Sequence, residues 1–277
     1  MWKTCAYFAI AFLLGAAATA SAQEFTPITY PGALLTAAYG INAQGDIVGQ
    51  YESGDGRAHG YVLDASGFRT IDVPGAVRTF AFGINSRGEI AGRYDASDGT
   101  THGFVKRGDA FLSIDVPGAI RTVANGINSE GDVSGQYTSP DGTIHGYVLT
   151  VAGFTSIDVP DAARTMAMAV NPGLEVVGPF LGADGRTHGF LWSGGEYTVV
   201  DVPGATFTQP NSINARGDIV GFYMGADRIA RGFLRSDGAF TSIDVPGLVQ
   251  VRAISATGIV VGSYTVDGVV HGFRLRR

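Results

Sequence analysis

Apolar positions along this chain fall into short runs divided by turn chemistry. Between Val123 and Val159 four runs follow one another: Val123 to Asn128, Asp132 to Tyr137, His145 to Leu149, and Phe154 to Val159. Asn-Ser-Glu-Gly-Asp separates the first two and Ser-Pro-Asp-Gly separates the second from the third, Asp-Gly being a strong hairpin signal. Each run predicts a β-strand. Val-Pro-Gly ends the fourth, because proline lacks the N–H that a ladder needs. No window sustains the 3.6-residue apolar period of a helix, and glycine, at 41 of 277 residues, recurs inside every copy of the pattern.

The same runs return every 43 residues, with Phe25, Phe68, Phe111, Phe154, Tyr197 and Phe240 each opening a copy. A repeated four-stranded unit of this length predicts an all-β fold, a six-bladed β-propeller of 43-residue repeats. Linear β-solenoids use shorter periods and need end caps, which the pattern does not provide. The chain opens on a lone outer-type strand, Phe25 to Tyr30, and stops after a third-type strand, His271 to Leu275. The sixth unit is therefore short of one strand, and the predicted ring closes by pairing the N- and C-terminal strands. The last copy also drops residues between Gly247 and Ile254 and between Tyr264 and Asp267, outside any predicted strand.

The N-terminus carries Lys3, an apolar stretch from about Cys5 to Ala18, and Ala20-Ser21-Ala22 before Gln23. This reads as a secretory signal peptide over residues 1–22, leaving residues 23–277 as a single propeller domain. The apolar stretch is shorter than the roughly 20 residues a membrane span needs, so no membrane insertion is expected after cleavage. The predicted location is extracytoplasmic, secreted or periplasmic. Cys5, the one cysteine, falls inside the leader, which excludes thiol catalysis, thiolate metal sites and iron–sulfur clusters from the mature chain. The 19 basic residues less Lys3 leave 18 against 25 acidic ones. That balance argues against nucleic acid as a partner, which demands clustered positive charge.

The phrase Asn-Ser-Arg-Gly-Glu-Ile-Ala-Gly-Arg-Tyr with His-Gly-Phe-Val, and Thr-His-Gly-Phe-Leu-Trp in the fourth copy, resemble the bacterial extracellular HAF-type repeats, over essentially the whole mature chain. Gly60, Gly103, Gly146, Gly189, Gly232 and Gly272 stand where that family usually has alanine, which suggests close packing against neighbouring backbone. The resemblance implies export and a propeller-like repeat fold, and it implies no established activity.

Candidate chemistry is sparse. His59, His102, His145 and His188 share one repeat position, as does His271, and 13 residues after the first four lie Asp72, Asp115, Asp158 and Asp201. A hairpin turning through Thr150 to Gly153 sets His145 opposite Asp158. An Asp-oriented histidine is a common general base, but an active site needs one such pair and this chain has four, so these read as structural pairs. Arg231 replaces histidine in the fifth copy, facing Asp244. Asp46, Glu89, Asp132, Glu175 and Asp218 also recur; carboxylates in pairs suit glycoside hydrolysis, but each follows an Asn-x-x-Gly turn whose amides a short acceptor satisfies. Recurring aromatics, and Trp192 with them, read as core. No catalytic residue, metal site or cofactor is predicted, since the sequence lacks the nucleophile, phosphate-loop, zinc-protease and dinucleotide motifs.

One group of differences between copies is spatially organised. Arg78, Arg121 and Arg164 occupy the same place in three successive copies, against Leu35, Phe207 and approximately Gln250 in the others. Guanidinium forks bind carboxylate or phosphate bidentately, so this arc is the candidate ligand-binding surface, for an anionic glycan or an extracellular partner protein. A spacing held at 43 residues leaves no room for an inserted lid. An exported ligand-binding or interaction scaffold is therefore the favoured function, and the alternative is a propeller hydrolase or lyase acting on extracellular polysaccharide or ester.

Overall fold

The computed structural model describes residues 24–245 and 247–276, so the predicted signal peptide lies outside the described residues. Twenty-five short strands build six antiparallel units. Unit one comprises Leu35–Ile41, Ile47–Glu52, Ala58–Asp64 and Gly67–Ile71; unit two Arg78–Ile84, Ile90–Asp95, Thr101–Arg107 and Ala110–Ile114. Unit three comprises Arg121–Ile127, Val133–Thr138, Ile144–Thr150 and Gly153–Ile157. In unit four the first strand is broken into Arg164–Thr165 and Ala169–Val170, followed by Val176–Leu181, Thr187–Ser193 and Glu196–Val199. Unit five comprises Phe207–Ile213, Ile219–Met224, Ala230–Ser236 and Ala239–Ile243. Leu248–Ile254, Val260–Val266 and Val269–Arg276 make three strands of unit six, and Glu24–Ile28 pairs antiparallel with the last of these, Phe25 opposite Leu275.

The first strand of each unit touches the first strand of the next, and that of unit six touches that of unit one. These inner strands therefore surround a common centre. The apolar core lies between units. Val48, Val62 and Ile71 of unit one pack with Ala81, Ile84, Ile90 and Phe104 of unit two, and the same arrangement recurs at every boundary. At the seam, Ile28, Ala253 and Val261 of unit six meet Ala38, Ile41, Ile47 and Tyr61 of unit one. Full burial of one such aliphatic side chain contributes about 1.5–3 kcal/mol, so each unit is held mainly by its neighbours. The glycine of His-Gly-Phe belongs to this packing: a Cβ on Gly146 would stand 2.6 Å from the Ile157 carbonyl oxygen and 3.2 Å from the Ala167 nitrogen of the next unit.

A second connection between units is polar. Asn85 Oδ1 accepts the amides of Arg87 and Glu89, both at 3.0 Å, which fixes the turn after the first strand. Its Nδ2 donates to Glu89 Oε2 at 2.7 Å and to the Asn128 carbonyl of unit three at 3.0 Å. Asn42, Asn128, Asn171 and Asn214 repeat the arrangement. The recurrent carboxylates thus take the asparagine's Nδ2 proton, while the asparagine carbonyl, and not the carboxylate, satisfies the turn amides. In unit six Ser255 stands in the asparagine's place, its Oγ accepting the Ile259 amide at 3.0 Å.

The residue losses in the last copy fall at turns. The first strand of unit six keeps seven residues and begins directly after Gly247. Asp267 and Gly268, both at positive φ, close a tight turn flanked by the Val266–Val269 pair.

Candidate ligand-binding channel

Every inner strand carries one extra residue against its partner at one repeat position. In unit three Ala124 faces Gly135 and Gly126 faces Ser134, which leaves Asn125 as the extra residue outside the ladder. Tyr39, Phe82, Asn211 and Arg252 hold the same place in units one, two, five and six. In unit four, where Thr165 faces Phe180 and Ala169 faces Val177, the same excess falls around Met168, whose amide donates to the Val177 carbonyl at 2.8 Å. Tyr39, Phe82, Asn125, Met168, Asn211 and Arg252, one from each unit, line a central cavity of about 260 Å³, and the same six border a second space of about 110 Å³. Glycine after the bulge lets neighbouring inner strands approach: a Cβ on Gly83 would lie 3.1 Å from the Gly126 Cα. The framework repeats around the ring, and its lining does not.

The asparagines in the lining are partly committed to structure. Asn125 Nδ2 donates to the Ala167 carbonyl at 3.0 Å and Asn211 Nδ2 to the Val251 carbonyl at 2.7 Å, each tying its unit to the next. Gln209 Nε2 donates to Asn211 Oδ1 at 2.9 Å. The arginines are not committed to the same degree. Arg93, opposite Phe80 on the second strand of unit two, places its guanidinium carbon 4.1 Å from the Phe80 ring centroid and its Nη1 3.1 Å from Asp95 Oδ1. Arg252 lies over Tyr39 at 5.3 Å and donates through Nη2 to Gln250 Oε1. Its Nε is sealed from solvent without an acceptor, and no carboxylate lies within ion-pair distance of it among the described residues. Burial pulls the Arg252 guanidinium below its ordinary range. Burial likewise raises the Tyr39 phenol, against the opposing charges of Arg252 and then Arg93.

Arg78, Arg121 and Arg164 each begin an inner strand. Arg121 faces Thr138, just before the Ser139–Gly142 turn, so the three arginines and the Asp-Gly turns share one end of the ring. Arg78 and Arg164 are exposed, and Arg121 is half-buried and reaches the central cavity. None of the three pairs with a carboxylate among the described residues. Burial depresses Arg93, Asp95 opposes this, and the Arg121 and Arg78 charges depress it further, which ties the rim electrostatically to the cavity. The equivalent backbone position in unit six is Leu248, opposite Thr265, and not Gln250, because the two missing residues precede the strand. Arg93 and Arg252 were not singled out from the sequence. The signal was present, since positions equivalent to Arg93 hold Gln50, Gln136, Pro179 and Phe222.

The histidines lie on the third strands, outside the cavity lining. His59 Nδ1 is 2.9 Å from Asp72, His102 Nδ1 2.8 Å from Asp115, His145 Nδ1 3.1 Å from Asp158 and His188 Nδ1 2.6 Å from Asp201. Nε2 of each ring meets a hairpin residue, Ser53, Thr100, Ser139 or Asp184. The rings stack on Tyr51, Tyr94, Tyr137 and Phe180 across the strand. Both nitrogens are thereby occupied within the hairpin. Arg231 departs from the expected pairing with Asp244: its two Nη atoms grip Asp227 at 2.6 and 3.1 Å, whereas His188 turns Nε2 to the equivalent Asp184 and keeps Nδ1 for Asp201. Asp244 instead accepts from Ser242 Oγ at 3.4 Å.

No protein-family model matches the chain, and no curated protein matches its sequence. Solved structures do resemble its fold. The putative TolB of Agrobacterium tumefaciens superposes with a TM-score of 0.60 at 14% identity, over 88% of this chain and 91% of that one. A mutant of the Aleuria aurantia lectin in complex with Fucα1-6GlcNAc gives 0.54 at 11% identity, over 88% and 93%. A further structure of that fungal lectin, described as a six-bladed β-propeller with a novel fucose recognition mode, gives 0.50 at 14% identity, over 76% and 78%. At such identities the likeness speaks for architecture alone, and the chain is an all-β protein of propeller fold.

Proposed function

We infer that the protein is an exported ligand-binding scaffold, a closed six-bladed propeller that takes an anionic glycan at the arginine-bearing end of its channel. One observation carries this reading: Arg78, Arg121 and Arg164 lie at one end of the ring without carboxylate partners among the described residues, and Arg121 links this end to a cavity that also holds Arg93 and Arg252. Positive charge focused at a channel mouth attracts anions, and unpaired guanidinium forks suit uronate carboxylates or phosphorylated sugars. The Aleuria aurantia lectin, which shares the fold, has been solved in complex with fucosides, which supports sugar binding on such a scaffold. The leader-like residues 1–22 and the HAF-type resemblance support export.

The test is binding of wild type and the R78A/R121A/R164A variant to polyuronates and to a neutral polysaccharide, at low and moderate salt. Wild type should bind polyuronate in a salt-sensitive manner, and the triple variant should lose most of that binding. Equal binding by both proteins, or binding by neither, would overturn this reading.

A further inference from the structure

The interior of the channel has a chemistry different from its rim. Arg252 presents a guanidinium whose charge no described carboxylate compensates, and among the described residues its Nη1 meets no protein acceptor. Arg252 is half-buried with its Nε sealed from solvent, and leaving a partly desolvated charge unpaired is unfavourable. Beside it stands the Tyr39 ring, in edge contact with Phe82 at 5.4 Å, and Val123, Met166 and Met168 continue the apolar wall. The Tyr39 hydroxyl likewise has no hydrogen-bond partner among the described residues. The channel thus offers one strong anion anchor against an aromatic and thioether surface.

Size narrows the ligand. A volume of about 260 Å³ holds roughly nine waters at ~30 Å³ each, and so a ligand of roughly ten non-hydrogen atoms. A polysaccharide chain is too large to lie within it. Sulfate or phosphate would leave the apolar wall unused, and a neutral aromatic would leave Arg252 unpaired.

We propose that the channel interior is a binding site for a small aryl or short-chain monocarboxylate, whose carboxylate pairs with Arg252 and whose apolar body lies on Tyr39 and Phe82. The site rests on the cavity and its lining, to which Arg121 belongs, and not on Arg78 or Arg164. Arg93, also in the cavity lining, supplies a second positive charge, partly compensated by Asp95.

Calorimetric titration of the full chain with benzoate, benzamide and sulfate tests the site, with NMR observation of the Tyr39 ring during the benzoate titration. One benzoate should bind per chain and shift the Tyr39 resonances. Benzamide and sulfate should each bind at least about tenfold more weakly, or about 1.4 kcal/mol. Arg252→Gln should abolish benzoate binding while melting cooperatively; should that variant fail to fold, Arg252→Lys, which keeps the charge and loses the fork, should weaken it. The R78A/R164A variant, which leaves Arg121 in the cavity lining, should retain benzoate affinity, so loss of glycan binding and loss of the channel site are separable. No benzoate binding at millimolar concentration, sulfate binding as tight as benzoate, unmoved Tyr39 resonances, or full affinity in a folded Arg252 variant would each overturn the proposal.

Discussion

Asn85 of unit two reaches across the unit boundary and donates its Nδ2 proton to the backbone carbonyl of Asn128, 3.0 Å away. The same side chain receives two turn amides and binds Glu89. A buried residue with four hydrogen bonds, worth about 1 kcal/mol each net, should be among the costliest polar positions to lose. Asn85→Ala is expected to destabilise the protein by on the order of 3 kcal/mol in urea unfolding. Ser255→Ala, at the equivalent place in unit six, should cost clearly less, because Ser255 makes fewer such bonds. Equal costs for the two variants would remove the special role of the asparagine.

Closure of the ring predicts a global response to a local deletion. Ile28 is 5% exposed and packs in the seam cluster, and Phe25 contacts Tyr264 and Phe273 at 5.3 and 5.8 Å. Removing residues 24–28 should lower the melting temperature of the whole molecule in one cooperative transition. An unchanged Tm, or a small early transition beside an unchanged main one, would show that this strand is an appendage.

Two buried tyrosines at one repeat position should respond oppositely to loss of the hydroxyl. Tyr147 OH donates to the Val123 carbonyl at 3.1 Å, whereas Tyr61 OH is buried without a partner. Phe104, Phe190, Phe233 and Phe273 fill the same place elsewhere. Tyr147→Phe should cost about 0.5–1.5 kcal/mol, and Tyr61→Phe should be neutral or stabilising. Urea denaturation of both variants decides the point, and a destabilised Tyr61→Phe would contradict it.

The hairpin latch of unit four should be visible in pH. A hydrogen bond to the Asp201 carboxylate raises the His188 pKa, burial opposes it, and Asp184 adds to the rise. Protonated His188 is therefore favoured in the folded state. The stabilisation is fully present below the ordinary histidine value of about 6.5 and is lost as pH rises through the raised folded value. Asp201→Asn should accordingly destabilise most at mildly acid pH, with the gap to wild type narrowing toward alkaline pH, and NMR should show the His188 titration moving down. A gap independent of pH would mean that the pair does not couple protonation to folding.

Much of the architecture was legible because strand, turn and glycine positions recur at one period, and six copies of a weak local signal reinforce one another. The outer-type strand at Phe25 and the missing one after Leu275 stood out by counting. The channel was hidden for a physical reason. A bulge is an offset between two strands, so Asn125 looks like any other residue of its run until its ladder partners are known. Arg252 was further displaced by the two-residue loss before Leu248, which shifts its column away from Asn211. The role of Asn85 was misassigned to Glu89 because sequence spacing shows which groups are near a turn and not which atom points into it. Arg231 was read by analogy with an imidazole, and its longer fork found Asp227 instead of Asp244.

The pairing of Phe25 with Leu275 joins residues 250 positions apart. During synthesis from the N-terminus, successive units can stack as they appear, since each core needs only the next neighbour. Phe25 and Ile28 have no partner until the final strand arrives, so the contact with the greatest loop-closure cost forms late. A chain stopped short would leave bare the unit-one face bearing Ala38, Ile41 and Tyr61, together with the apolar face of its last unit. Both surfaces are covered together only when Glu24–Ile28 has paired with Val269–Arg276, so a chain lacking either strand would expose apolar surface that the paired chain buries.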